Sequence, residues 1–362
     1  MVKRGMKVKR DRNRARTMRS SLRRGRRAAN RRARRLDYVR LRNELRRFAF
    51  ATPTRERSAE AAQTAHDFVM APEVLSLRQN PEPVIRFIAT LRTHYERREA
   101  VFVDLREVTK IEIDGIAVLL SVLVKFKSAG VRFTGNYPAD PAARLALEKS
   151  RFFEMLYHEK FRNQRSYNLE TGGSISTHAK HQVDGPLAGK IVEAASRFIW
   201  GEPRRCRGVY RAIQELMLNT HNHAVPLKEG GRQWWLATKH VQSERRVAFS
   251  FIDYGVGIFE SLRRATHPLR AVIDRLSLGD DTAVLKAIFE GRIQKTSSGD
   301  YFRGKGLRGI HAAMKQRDLS QFVLISNRVM FDGVADEFRL LEVSLQGTFV
   351  YWEIDSTNRS VR

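Results

Sequence analysis

Apolar and polar positions follow rhythms that change several times along the chain, and each change marks an element. Pro83 to Arg98, rich in Arg, reads as a helix. Ala100-Val101-Phe102-Val103-Asp104-Leu105 reads as a strand whose unbroken apolar run suits a buried place in a sheet. Gly115 opens a strongly apolar helix carrying Ile116, Val118, Leu119, Leu120, Val122, Leu123 and Val124, and Gly130 caps it. Val131 to Gly135 is the next strand, and Pro141 starts a further helix that runs on to Phe153. Strand and helix alternating at this spacing predict a small α/β domain over about residues 68–160, with a mainly parallel sheet.

The stretch 160–183 is polar and irregular, with Asn163-Gln164-Arg165-Ser166 and then Glu170-Thr171-Gly172-Gly173-Ser174, and predicts a domain boundary. Helical periodicity resumes at Leu187 and continues through Ile191, Val192, Ala195 and Phe198, and a second helix begins near Arg205. A strand over Arg246–Ile252 and a last one over Leu345–Trp352 complete a second domain, about residues 180–356. The fold class expected is therefore α/β and α+β in two domains, preceded by an N-terminal arm (residues 1–50) and a polar linker around residues 51–64.

Charge changes the picture at one end. Of 67 Lys and Arg and 39 Asp and Glu, residues 1–47 hold 21 basic and three acidic (Asp11, Asp37, Glu44), a net +18, whereas the other 315 residues carry only +10. Apolar residues before Leu36 are too sparse to build a core, so the arm is expected to be disordered, or helical only when bound. Such a block attracts polyanions by counterion release, DNA or RNA among them; the alternative is a merely solvated tail. No aromatic residue interrupts it before Tyr38, so base stacking is not indicated. A single cysteine, Cys206, excludes an intramolecular disulfide and a cysteine-based metal cluster. With no apolar run near the ~18 residues of a membrane span and no hydrophobic segment behind the N-terminal charges, the expected location is the cytoplasm, without a membrane partner.

Within the first domain, Val103-Asp104-Leu105, then Val108 and Ile111-Glu112-Ile113-Asp114-Gly115-Ile116, then Leu119-Leu120 resembles a STAS domain, the fold of anti-sigma-factor antagonists. In that family the residue before the glycine at the helix start is commonly a Ser or Thr that a partner kinase phosphorylates. Here it is Asp114. One reading makes Asp114 an N-cap accepting hydrogen bonds from the orphan amides of the first turn. The other makes it a fixed carboxylate imitating part of a phosphoserine's charge. The two readings are compatible.

Four boxes carry the chemistry of the second domain. Glu215-Leu216-x-x-Asn219-x-x-x-His223-Ala224 places Glu215 and Asn219 four apart, on one helix face. Asp253-Tyr254-Gly255-Val256-Gly257 ends a buried strand in a turn with a carboxylate and two open glycine backbones. Arg303-Gly304-Lys305-Gly306-Leu307-Arg308-Gly309 reads as a glycine-rich loop leading into a helix, which aims backbone amides at phosphate oxygens. Gly347-Thr348 sits in the last strand, and a long segment (about residues 259–303) is placed to act as a lid. Each box alone is weak. In this order they resemble the GHKL superfamily, the ATP-binding fold of histidine kinases, gyrases and MutL, and are closest to its bacterial histidine-kinase and anti-sigma-factor-kinase branch.

That resemblance implies ATP and Mg²⁺ as ligands. Asn219 would give Mg²⁺ an oxygen ligand, a donor type that ion prefers. Asp253 would accept a hydrogen bond from the adenine amino group, assisted by Thr348, while Gly255 and Gly257 let the chain pass close to the base. Gly304, Gly306 and Gly309 would form the phosphate side, with Lys305 as a phosphate contact. Glu215 would orient or deprotonate the attacking nucleophile, and His223 is a structural residue. Arg308 stands where histidine kinases prefer a small residue. Three functions are open: a kinase-like partner switch of the anti-sigma type, a nucleic-acid-associated ATPase that uses its basic arm, and a scaffold that binds ATP without turnover. The absence of a His-bearing helix pair ahead of the ATP domain argues against an ordinary sensor histidine kinase.

Overall fold

Asn80 is followed by two prolines, Pro81 and Pro83, whose fixed φ suits a first helical turn that needs no amide donors. The helix that starts there (α1, Pro81–Arg97) ends at Arg98 in the left-handed region, two residues earlier at its start than the periodicity predicts. The computed structural model describes residues 67–150, 152–157, 175–180, 183–223, 234–264, 280–293 and 304–358, for the backbone alone at a few element ends and throughout 175–180; all fall within a unit spanning Arg55–Arg362. The basic arm lies outside the described residues.

Three short parallel strands, β1 (Asp67–Met70), β3 (Val101–Asp104) and β5 (Phe133–Gly135), form the N-terminal sheet in the order β1-β3-β5, as the strand–helix alternation predicts. A second parallel pair joins β2 (Val74–Leu75) to β4 (Lys110–Ile111). The apolar helix after it (α2, Ile113–Ser128) begins two residues before Gly115, and Gly130 follows it at φ +68. The helix expected from Pro141 to Phe153 is two: α3 (Pro141–Lys149) and α4 (Phe152–Tyr157). Ser150 makes the break, because its hydroxyl donates to the Leu147 carbonyl and accepts from the Phe152 amide.

The C-terminal half is built on a five-stranded antiparallel sheet in the order β6-β7-β8-β10-β9. Its strands are β6 (Ile175–Lys180), β7 (Trp234–Val241), β8 (Arg246–Asp253), β9 (Ser320–Asp332) and β10 (Glu337–Ile354). β6 corrects the predicted boundary, since residues 175–180 pair along β7 as the edge strand rather than forming part of an irregular linker. A mixed polar composition such as Ser176-Thr177-His178 is what edge strands carry, and it hides them from an apolar-run search. The helices are α5 (Gly185–Trp200), α6 (Arg207–His223), α7 (Ile258–Arg264), α8 (Asp281–Phe289) and α9 (Gly304–Lys315). Among the described residues, no helix is long and apolar enough to cross a membrane.

Both faces of the central strands β7 and β8 and of the C-terminal half of β10 are buried, which is unusual for antiparallel strands and explains their near-continuous apolar runs. Trp234, Leu236, Val247, Phe249, Phe251, Val350 and Trp352 face α5, α6, α8 and α9 in one core. The alternate residues Trp235, Ala237, Ala248, Ile252, Phe349 and Tyr351 are equally buried on the opposite face. There α2 packs against β7 and β8, and α1 against β10. A helix buried on all sides must be largely apolar all round, and α2 is: every residue from Ile113 to Leu123 is buried, with Asp114 and Ser121 the polar members. At about 25 cal/mol per Å² of apolar surface, this shared layer contributes to the stability of both halves at once.

The segment expected to be a lid divides. Residues 265–279 and 294–303 lie outside the described residues, but α8 belongs to the core, with Val284, Leu285, Ala287, Ile288 and Phe289 buried. Phe289 stacks on His311 of α9 at 4.3 Å between ring centroids and meets Phe331 edge-on at 5.1 Å.

Candidate functional site

Asp114 does not cap its helix. It occupies the first turn rather than the cap position, and its Oδ2 accepts from the Ser76 hydroxyl and the Arg78 amide, both at 2.9 Å, tying the β2–α1 connection to α2. Its Oδ1 is buried and has no hydrogen-bond partner. Burial pushes this carboxyl above the usual range, against the Arg78 and Ser76 hydrogen bonds.

On the other half, the strand alternation of β8 that turns Val247, Phe249 and Phe251 toward the helices turns Asp253 the same way. Asp253 is nearly buried and pairs in register with Trp234 on one side and Thr348 on the other. The Gly255 amide donates to its Oδ1 at 2.7 Å. Burial pushes the carboxyl up to about 6, opposed by the Gly255 and Thr348 amides, the Lys125 charge and the Thr220 side chain. Thr220 is the neighbour of Asn219 on α6, so the Asp-bearing strand end and the Asn-bearing helix meet at this carboxylate. The Thr348 side chain is also buried and lies 3.3 Å from the Ser326 hydroxyl.

Close backbone approach makes two glycines necessary. Gly347, at φ +118, lies so near the β8 end that a Cβ there would fall 2.8 Å from the Asp253 carbonyl carbon and closer still to its oxygen. Gly257, at φ +82, faces the Asn327 side chain, where a Cβ would lie 2.5 Å from Oδ1. Gly257 is thus a packing requirement of the turn itself. Two polar residues absent from the sequence-based set hold that turn from β9. Asn327 accepts from the Phe259 amide at 3.1 Å and the Glu260 amide at 3.3 Å, and donates to the Val256 carbonyl at 2.9 Å. Ser326 accepts from the Ile258 amide and donates to the Gly347 carbonyl. Their signal in the sequence is a polar pair inside the apolar run Phe322–Met330, where β9 and β10 slip register.

The third box departs from the expected loop. Gly304 is already the first residue of α9, so Gly304, Gly306 and Gly309 lie in its first two turns. The reason is packing against α6: a Cβ on residue 306 would fall 2.5 Å from Glu215 Oε2, and one on residue 309 would touch the Arg211 stem at 3.7 Å. Glu215 therefore abuts the first turn of α9, where the helix dipole favours a negative charge. Lys305 opens the same turn, and its side chain lies outside the described ones, as does that of His223. Arg308 lies against Gly291, whose φ of +73 and missing Cβ leave room for the guanidinium. Glu215 and Asn219 are partly buried on α6. Asp253, Thr348, the Glu215–Asn219 face of α6 and the start of α9 thus meet along one side of the sheet. No protein-family model, curated protein or solved structure matches the chain.

Proposed function

We propose that the C-terminal half binds Mg²⁺·ATP in the manner of the GHKL superfamily, and that the N-terminal half is a STAS-like module working with it as a partner switch of the anti-sigma type. The observation that carries this reading is the buried Asp253 carboxylate at a strand end, flanked by Thr348 and Thr220. One of its oxygens is engaged by the Gly255 amide. A buried acceptor of this kind suits a donor such as the adenine amino group. Asn219 would hold Mg²⁺, the amides opening α9 would hold phosphate oxygens with Lys305, and Glu215 would act on the nucleophile. Bound Mg²⁺·ATP would supply an electrophilic phosphoryl group, which these residues would orient.

The +18 charge of residues 1–47 favours a second reading, an ATPase that holds DNA or RNA through its arm. Phosphate release from ATP by the full chain, measured with and without nucleic acid and with Asn219→Ala and Asp253→Asn as controls, separates the two. Binding with little turnover in either condition favours the partner switch. Turnover stimulated by nucleic acid and lost in both variants favours the ATPase.

A further inference from the structure

Asp253 and Tyr254 are consecutive, so their side chains leave the sheet on opposite faces. Asp253 points into the candidate site. Tyr254 points into the N-terminal module and is buried there. Its hydroxyl lies 2.7 Å from Ser121 Oγ and 3.4 Å from the Val118 carbonyl, both on α2. The Ser121 hydroxyl is 2.6 Å from that same carbonyl. Its single proton is therefore committed to the carbonyl, and Tyr254 donates to the Ser121 lone pair. Lys125, one turn further along the same helix face, places Nζ 4.2 Å from the Tyr254 ring centroid, and Arg92 of α1 lies 5.6 Å from it. The charged groups gathered around this ring are Lys125, Arg92 and Asp253 itself, and Glu96 acts on Lys125. Burial keeps the phenol neutral, pushing it up to about 12.

We infer that Ser121 and Lys125 are positioning residues for the base-recognition turn: α2 of the N-terminal module clamps Tyr254, and through the shared backbone fixes where the Asp253 carboxylate stands. This rests on the ATP reading above. The turn has two supports. Ser326 and Asn327 hold its far end from β9, and the α2 clamp holds its near end. The first lies within the C-terminal half, and the second reaches it from a separate stretch of chain. Base recognition in one half is accordingly set by packing against the other, and any ligand or modification that shifts α2 acts on adenine affinity without touching the phosphate side.

The test compares full-length wild type with Ser121→Ala, Tyr254→Phe and Lys125→Met, and with Ser121→Thr and Lys125→Arg as conservative counterparts. Each is titrated with Mg²⁺·ATP and with Mg²⁺·tripolyphosphate, which shares the phosphates but has no base. The inference expects about tenfold weaker ATP binding in the first three, unchanged tripolyphosphate binding, and recovery to within about twofold in Ser121→Thr and Lys125→Arg. Equal losses for both ligands would mean general loosening and would overturn it, as would unchanged ATP affinity in all three variants. Failure of the wild type itself to bind ATP overturns the ATP reading and the inference with it, and is distinguished by the wild-type titration alone.

Discussion

Replacing Asp253 by Asn measures what burying this carboxyl costs the fold. Moving it from an ordinary 3.8 to about 6 corresponds to about 3 kcal/mol, at about 1.4 kcal/mol for each tenfold change in acidity. The folded protein holds the proton more tightly than the unfolded chain does. The favourable contribution is therefore fully present below pH 3.8 and is lost as pH rises through about 6, so stability falls across that window. Urea unfolding of wild type and Asp253→Asn at intervals from pH 4 to pH 7.5 isolates the effect, because every other titrating group is common to both. The variant should gain on the wild type by up to about 3 kcal/mol across the window, while losing nucleotide binding. The Asn amide keeps an oxygen for the Gly255 donor but brings N–H groups of its own, so the gain in absolute stability at pH 7.5 is smaller than the change across the window. Parallel stability curves would mean instead that the carboxyl is ionised without penalty in the folded protein.

Other outcomes follow from the same geometry. Gly347→Ala places a Cβ against the Asp253 carbonyl at a φ of +118, and should cost about 1–3 kcal/mol in chemical denaturation and weaken ATP binding as the β8 end is displaced. Asn327→Ala removes one acceptor and one donor serving three backbone groups of the turn and α7, and should destabilise by about 1–3 kcal/mol; a change below about 0.5 kcal/mol would show that the turn does not depend on it. Hydrogen exchange should find the amides of residues 285–289 protected like those of β8, because α8 is core; fast exchange there would restore the lid reading.

The fold was legible where one physical signal dominated. Proline at a helix start, glycine after a helix and the apolar run of β3 placed α1, α2 and the parallel sheet within a few residues. The sequence also displayed the clue to how the halves join, in a helix apolar on every side, but all-round apolarity does not say what covers it. Ile113–Leu123 finds its second cover on a sheet more than a hundred residues away. Asp114 shows the limit of local reasoning: helix-start position favours a cap, yet the carboxylate reaches across to Ser76 and Arg78, a contact set by tertiary packing. The site boxes were legible as side chains and glycines. Their supports Ser326, Asn327 and Tyr254 were not, because a polar pair in a strand or a tyrosine between Asp and Gly has no meaning until the register is known.

In the proposed function, Asp253 and Asn219 belong to one Mg²⁺·ATP site. Isothermal titration of the full chain with ATP, with and without Mg²⁺, decides this when Asp253→Asn and Asn219→Ala are run alongside. Wild type should bind saturably, and Mg²⁺ should strengthen the binding. Asn219→Ala should lose the Mg²⁺ dependence, and Asp253→Asn should lose affinity at least tenfold with or without the ion. Absence of ATP binding by the wild type, or undiminished binding by Asp253→Asn, would contradict it.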